Sequence, residues 1–277
     1  MIDNMEDEKV LKYIILNQIK GLGCISQNGL LDVCGDIDTC FSLNEADILE
    51  KDVLGKVGVK RIHLFVQERD DEKLRSDAES ILKASIENGV DIITREDVEY
   101  PRRFQGLNDM PILLYLKGKL KINDVPYSAG VIGARRCSQE GKNTAIAVAT
   151  KAINKGGIVI SGMAKGIDSY AHTAALKENG YTIAVLGNGP DICYPPEHQS
   201  LYDEIVKRGC IVSEYPPGTK PRSYMFPLRN RIIAALSDEV FVIEAGRNSG
   251  TQTTVESCDK YGRKVVVDSL GGAREIA

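Results

Sequence analysis

Ala129-Gly130-Val131-Ile132-Gly133-Ala134-Arg135 is answered further along the chain by Ile158-Val159-Ile160-Ser161-Gly162-Met163-Ala164-Lys165-Gly166-Ile167-Asp168. Between them, over Gly141 to Ile153, Ala145, Val148, Ala149 and Ala152 fall at i, i+3, i+4 and i+7, one face of a helix. A short apolar run, a glycine-bearing loop, an amphipathic helix and a second apolar run form a strand-helix-strand unit. Because the runs are apolar throughout instead of alternating, they read as strands covered on both faces, as in a parallel sheet.

Working outward, further runs recur at Val90 to Ile93, Ile112 to Leu116, Thr182 to Leu186, Ile211 to Val212, Val240 to Ile243 and Val265 to Val267. Most are separated by helical stretches, so the expected class is α/β, a doubly wound and mostly parallel sheet over residues 72–277. Upstream, from Lys9 to about Val66, short amphipathic helices turn on Gly21-Leu22-Gly23 and on Gly55-Lys56-Val57-Gly58. Residues 1–68 therefore read as a small helical module, SAM-like or helix-hairpin-helix-like, followed by a polar hinge and a helix over Glu72 to Glu87. Glycine turns of this kind can offer N–H groups to a phosphate, but the acidity of the segment favours simple helix ends.

Of 277 residues, 43% are hydrophobic and 27% charged, which excludes collagen-like, coiled-coil and wholly disordered chains. No apolar run reaches the ~18 residues of a spanning helix and the N-terminus is acidic, so the expectation is a cytoplasmic protein without membrane contact. Seven cysteines without a C-x-x-C pair and three histidines make a structural metal site unexpected. Residues 1–99 carry 12 basic against 22 acidic side chains and residues 100–277 carry 23 against 17, so an anionic partner belongs with the second part.

In a parallel sheet the strand-to-helix loops meet at one edge. Those loops carry Gly133, Arg135 and Ser138; Ser161, Gly162, Met163 and Lys165; and Ser249, Gly250 and Thr251. Glycines admit close backbone approach and helix N-termini present unpaired N–H groups, so a phosphate or phosphodiester site is the natural reading. Gly141-Lys142 continues into Asn143 and lacks a glycine five residues earlier, and Gly187-x-Gly189 has Ile192 where a third glycine belongs. Neither ATP nor NAD is implied, and no cofactor is expected. From Tyr215 to Leu236 the cations Lys220, Arg222, Arg229 and Arg231 occur without an acidic residue, interleaved with Tyr224 and Phe226. Cations following a sugar-phosphate backbone and rings stacking on unpaired bases suit single-stranded nucleic acid. Asp168 and His172, four apart on one helical face, invite a hydrolase reading, yet Ser161 is not in a nucleophile elbow and a structural Asp–His contact is the plainer expectation.

Taken in order, these loops resemble the DNA processing protein A (DprA/Smf) family. The resemblance rests on Val131-Ile132-Gly133-Ala134-Arg135, Ser161 through Asp168 with Ala171-His172, Tyr194-Pro195, Ser213-Glu214-Tyr215-Pro216-Pro217-Gly218-Thr219, Phe226-Pro227-x-Arg229-Asn230-Arg231, and Glu244-Ala245 with Ser249-Gly250-Thr251. It implies an extended Rossmann-like DNA-binding domain behind a small helical module, a non-enzymatic homodimer that binds single-stranded DNA and helps load RecA recombinase in natural transformation. The implied DNA pocket uses the Arg135 loop, the Ser161-Gly162-Met163 turn and Lys220 to Arg231. The chain departs from the family at Gln252-Thr253-Thr254 and at Asp268-Ser269, and the winged-helix tail that many members carry is not expected after it. The alternative is a LOG-like phosphoribohydrolase or nucleotide sensor, but Thr254 stands where the catalytic Glu would be and Glu256 comes two residues late.

Overall fold

The computed structural model describes residues 5–244, 250–268 and 273–276. The chain divides into two units, residues 1–100 with 106–114, and residues 101–105 with 115–277.

The first unit contains α1 (Met5–Gln18), α2 (Cys24–Cys34), α3 (Ile37–Ser42), α4 (Glu45–Lys51), α5 (Val59–Glu68), α6 (Glu72–Glu87) and strand β1 (Asp91–Thr94). Its acidic and amide side chains start helices: Asp36, Asn44 and Asp71 each accept the N–H three residues ahead, at Thr39, Asp47 and Leu74. Leu11, Ile14, Leu30, Ile37, Ile48, Ile62 and Phe65 are fully buried between the helices. The α4–α5 turn presents backbone N–H groups as expected, but Asp52 already takes them. Its Oδ1 accepts from Lys56 at 2.7 Å and its Oδ2 from Val57 and Gly58 at 3.2 and 3.1 Å, so the chain supplies its own anion. The expected boundary near residue 70 differs from the observed division, because α6 packs along α1 and stays with the helices.

The second unit is built on β2 (Leu113–Gly118, from Tyr115 onward), β3 (Ser128–Gly133), β4 (Ile158–Ser161), β5 (Thr182–Leu186), β6 (Cys210–Ser213), β7 (Glu239–Ile243), β8 (Lys264–Asp268) and β9 (Ala273–Ile276). Their order is β2-β6-β5-β4-β3-β7-β8-β9. The pairs β2–β6 and β8–β9 are antiparallel and the rest parallel. This is the doubly wound α/β sheet expected from the unbroken apolar runs. β9 has no such run, since Ala273-Arg274-Glu275-Ile276 places two charged residues between its apolar ends.

Helices α7 (Gln139–Asn154), α8 (Ile167–Lys177), α9 (Gln199–Arg208), α10 (Met225–Leu236) and α11 (Gln252–Tyr261) complete the unit. Ala145, Ala149 and Ala152 of α7 and Ala171, Ala174 and Ala175 of α8 form one buried cluster with Ala129, Val131 and Val159. Small helical side chains let these helices lie close to the sheet, and each buried Val or Ile adds about 1.5–3 kcal/mol. The intervening Gly130 faces Ser237, just beyond α10, on the other side. From β3 the chain winds outward through β4, β5 and β6, then returns to place β7 and β8 on the opposite flank. The β3/β7 boundary is thus a topological switch point, where loops part and leave a crevice beyond the strand ends.

Candidate nucleic-acid interface

At that boundary lies a cleft of about 350 Å³. Gly133, Ala134 and Arg135 after β3, Ala164 and Asp168 after β4, Phe226, Arg229 and Asn230 of α10, and Gly250, Thr251 and Thr254 around the start of α11 line it. A smaller cleft of about 70 Å³ shares Arg135, Ala164, Phe226 and Arg229 and adds Gly162, Lys165 and Tyr194. Phe226 and Arg135 thus line both.

Beneath the rim is a charged floor. Arg229 is 4% exposed, and its Nη1 donates to Gly162 O at 2.9 Å and to Val185 O. Burial pushes its pKa down to about 10, with Asp168 opposing that shift. Asp168 is 5% exposed and accepts N–H from Gly162 at 3.0 Å and Ala164 at 3.3 Å. Burial raises its pKa, against the nearby Arg229. Arg229 thus braces the turn between β4 and α8. A Cβ on Gly162 would lie 2.5 Å from Arg229 Nη2, so only glycine admits the guanidinium here.

Above this floor Phe226 is partly buried, and the guanidinium carbon of Arg135 lies 5.9 Å from its ring centroid, that of Arg229 6.0 Å. Arg135 itself is exposed. An exposed cation beside a partly buried aromatic ring that lines a cleft can meet a phosphate and a base of the same nucleotide.

The structure distributes the expected site residues unevenly. Gly133, Arg135, Phe226, Arg229, Gly250 and Thr251 line the larger cleft, and Gly162 and Lys165 the smaller. Ser161 is fully buried, its hydroxyl donating to Val131 O at 2.6 Å, and Met163 is fully buried with Leu186 and Tyr202 around it. Both shape the turn and offer no side chain to a ligand. Ser138 caps α7 by accepting Gly141 N–H at 3.0 Å, while its own N–H and hydroxyl donate to Glu244. The α7 N-terminus is therefore occupied by a carboxylate of the chain, which that bonding holds below the usual range. Arg231 is engaged by Glu214 at 2.6 and 3.0 Å. Lys220, Arg222 and Tyr224 are exposed on the segment leading into α10 and line neither cleft. Ser249 lies outside the described residues.

The expected Asp168–His172 contact does not form. Thr182 Oγ1 donates to Val159 O at 2.9 Å and therefore accepts from His172 Nδ1 at 2.7 Å, while Asp168 serves the 162–164 turn. Tyr194, Asn230 and Thr254 were not among the expected site residues. Asn230 sits between two arginines already singled out, whereas Tyr194 gains meaning only from its position beside Phe226.

The DNA recombination-mediator protein A family matches residues 91–273. DNA processing protein DprA of Streptococcus pneumoniae (strain ATCC BAA-255 / R6) is 42% identical over 166 residues, covering 60% of this chain and 58% of that protein. Protein Smf of Synechocystis sp. (strain ATCC 27184 / PCC 6803 / Kazusa) is 38% identical over 177 residues, covering 62% of this chain and 44% of the relative. Against these curated relatives the chain thus spans about half of their length. The X-ray structure of DNA processing protein A from Streptococcus pneumoniae superposes with a TM-score of 0.77 at 31% identity, over 94% of this chain and 88% of that one. A structure describing the single-stranded DNA binding mode of DNA processing protein A from Helicobacter pylori gives 0.60 at 31% identity, over 67% and 85%. With loops, sheet order and sequence in agreement, the chain belongs to the DNA recombination-mediator protein A family, whose curated relatives are named DprA and Smf.

Proposed function

We propose that this protein binds single-stranded DNA across the rim formed by Arg135, Lys165 and Phe226, with Lys220 and Arg222 following the strand beyond the cleft. The observation that carries the reading is the exposed Arg135 guanidinium beside a partly buried Phe226 ring that lines the cleft at the switch point of the sheet. Bases locked in a duplex cannot reach such a ring, so the site selects unpaired strands. The single-stranded DNA binding of the Helicobacter pylori relative and the family's description as a recombination mediator support extending this to DNA processing. In that role a homodimer protects incoming DNA in the cytoplasm and passes it to RecA recombinase during natural transformation.

Binding is favoured over catalysis. Thr254 is buried on α11 where a LOG-like hydrolase would place its glutamate, and Glu256 is exposed and accepts from Gln252 at 3.2 Å. Asp168, the carboxylate among the described residues lining the larger cleft, is committed to backbone N–H groups. Anisotropy titration with labelled oligo-dT and a duplex of equal length tests the reading. The expected result is preference for the single strand and a loss of about tenfold in Arg135→Ala, on the order of one charge-assisted phosphate contact. Equal affinity for both forms, or an Arg135→Ala variant that binds like the wild type, overturns it. Release of free base from nucleoside monophosphates would restore the hydrolase reading.

A further inference from the structure

The smaller cleft holds an aromatic ring that the fold leaves partly open. Tyr194 follows β5, is 40% exposed, and its ring centroid is 5.4 Å from that of Phe226 with 31° between the planes. Among the described residues its hydroxyl has no hydrogen-bond partner. A tyrosine kept for packing buries its ring and satisfies its hydroxyl, and Tyr202 nearby does both, at 5% exposure with a bond to Pro190 O. Tyr194 packs one part of its ring on Phe226 but keeps 40% of its surface exposed and its hydroxyl unsatisfied among the described residues, and it lines the cleft that Arg135 and Lys165 also line.

Lys165 is not idle. Its Nζ is ion-paired to Glu197, and both side chains are 55% exposed. A solvent-exposed pair of this kind contributes little and exchanges partners readily. It sets a carboxylate near the smaller cleft, next to the lysine a phosphate would seek.

We propose that the Tyr194–Phe226 cleft is a second base subsite, in which a nucleobase stacks on the Tyr194 ring while Lys165 leaves Glu197 for the adjoining phosphate. The larger cleft beyond Phe226 then takes the neighbouring nucleotide, so that Phe226 and Arg135 stand between two consecutive positions of the strand. This rests on the single-strand reading above and adds to it a residue that stacks and a carboxylate that weakens binding.

The chain contains no tryptophan, so Tyr194→Trp introduces a single indole at the subsite. Oligo-dT is expected to quench that indole in step with the anisotropy of the labelled strand. Tyr194→Ala should weaken binding by about 5- to 100-fold, the range of one lost stack, while Tyr194→Phe retains it. Glu197→Gln should tighten binding by about two- to fivefold at low salt, with the gain shrinking as salt rises. If oligo-dT binds Tyr194→Trp with unchanged emission and binds Tyr194→Ala as tightly as wild type, the subsite is refuted and the single-strand reading stands. Wild-type protein that fails to bind oligo-dT refutes both.

Discussion

At the scale of single residues, the site depends on a buried cation held by carbonyls. Arg229 contributes to the fold by donating to Gly162 O and Val185 O, and to the cleft by lying under Phe226. Gly162→Ala drives a methyl into that guanidinium, and either the arginine or the turn must move. The expected outcome is a loss of about 2–4 kcal/mol in urea unfolding together with weakened oligo-dT binding, since a buried charge loses its partners. His172 gives a pH-dependent counterpart. Fully buried, with Nε2 unpartnered, it has a pKa lowered to about 3 by desolvation, against about 6.5 in an unfolded chain. Between those values the unfolded chain binds a proton that the folded chain refuses. This contribution is therefore intact above about pH 6.5 and is lost by about 1.4 kcal/mol for each unit the pH falls toward 3. Asp168, whose pKa is raised, works in the opposite sense and offsets part of the loss. His172→Asn keeps a donor near Nδ1 and removes the titration, so its Tm should fall less steeply between pH 6 and 4 than that of the wild type. Parallel Tm curves would show that His172 does not govern the acid limb.

At the scale of elements, helix starts explain which expected anion sites are open. Asp52 fills the nest ahead of α5, as the acidity of that segment favoured, and Glu244 occupies the start of α7, a serine-bearing turn that suggested phosphate, so both are closed by the chain's own carboxylates. Asp52→Ala should cost about 1–2 kcal/mol in thermal or urea unfolding, as for a lost cap, and leave oligo-dT affinity no weaker. A drop in affinity would assign that turn a part in binding. Such occupancy was not legible in the sequence. Glu244 is far along the chain from Ser138, and nothing in local pattern announces that β7 delivers it to α7. The strands and α6 were legible, because unbroken Val/Ile runs and a 3.6-residue apolar period are local signals. The same holds for Arg135 and Phe226, whose chemistry belongs to their own loops. Ser161 and Met163 belong to a turn that does form the site, but only burial shows that it is their backbone and not their side chains that serves it.

For the whole molecule, a formal charge of -4 and a pI near 5.6 run against binding a polyanion. The opposition is weak because charges beyond about 10 Å are screened at 0.1 M salt, so affinity follows the cations at the interface and not the total. Among the described residues, Arg135, Lys165, Lys220 and Arg222 are exposed cations in and around the rim, and Lys165 is shared with Glu197. Three to four phosphate contacts on a single strand predict that log K falls with log salt at a slope of about -2 to -3. Removing one cation that touches phosphate lowers the magnitude of that slope by about 0.7, and removing one that does not leaves it alone. Titrations of wild type, Arg135→Ala, Lys220→Ala and Arg222→Ala at several salt concentrations therefore count the contacts one by one. Arg135 should change the slope because it is anchored beside Phe226, within reach of any base stacked there. Lys220 and Arg222 change it only if the strand continues past the cleft along the segment before α10, so an unaltered slope in both would confine the bound strand to the two clefts that Phe226 lines.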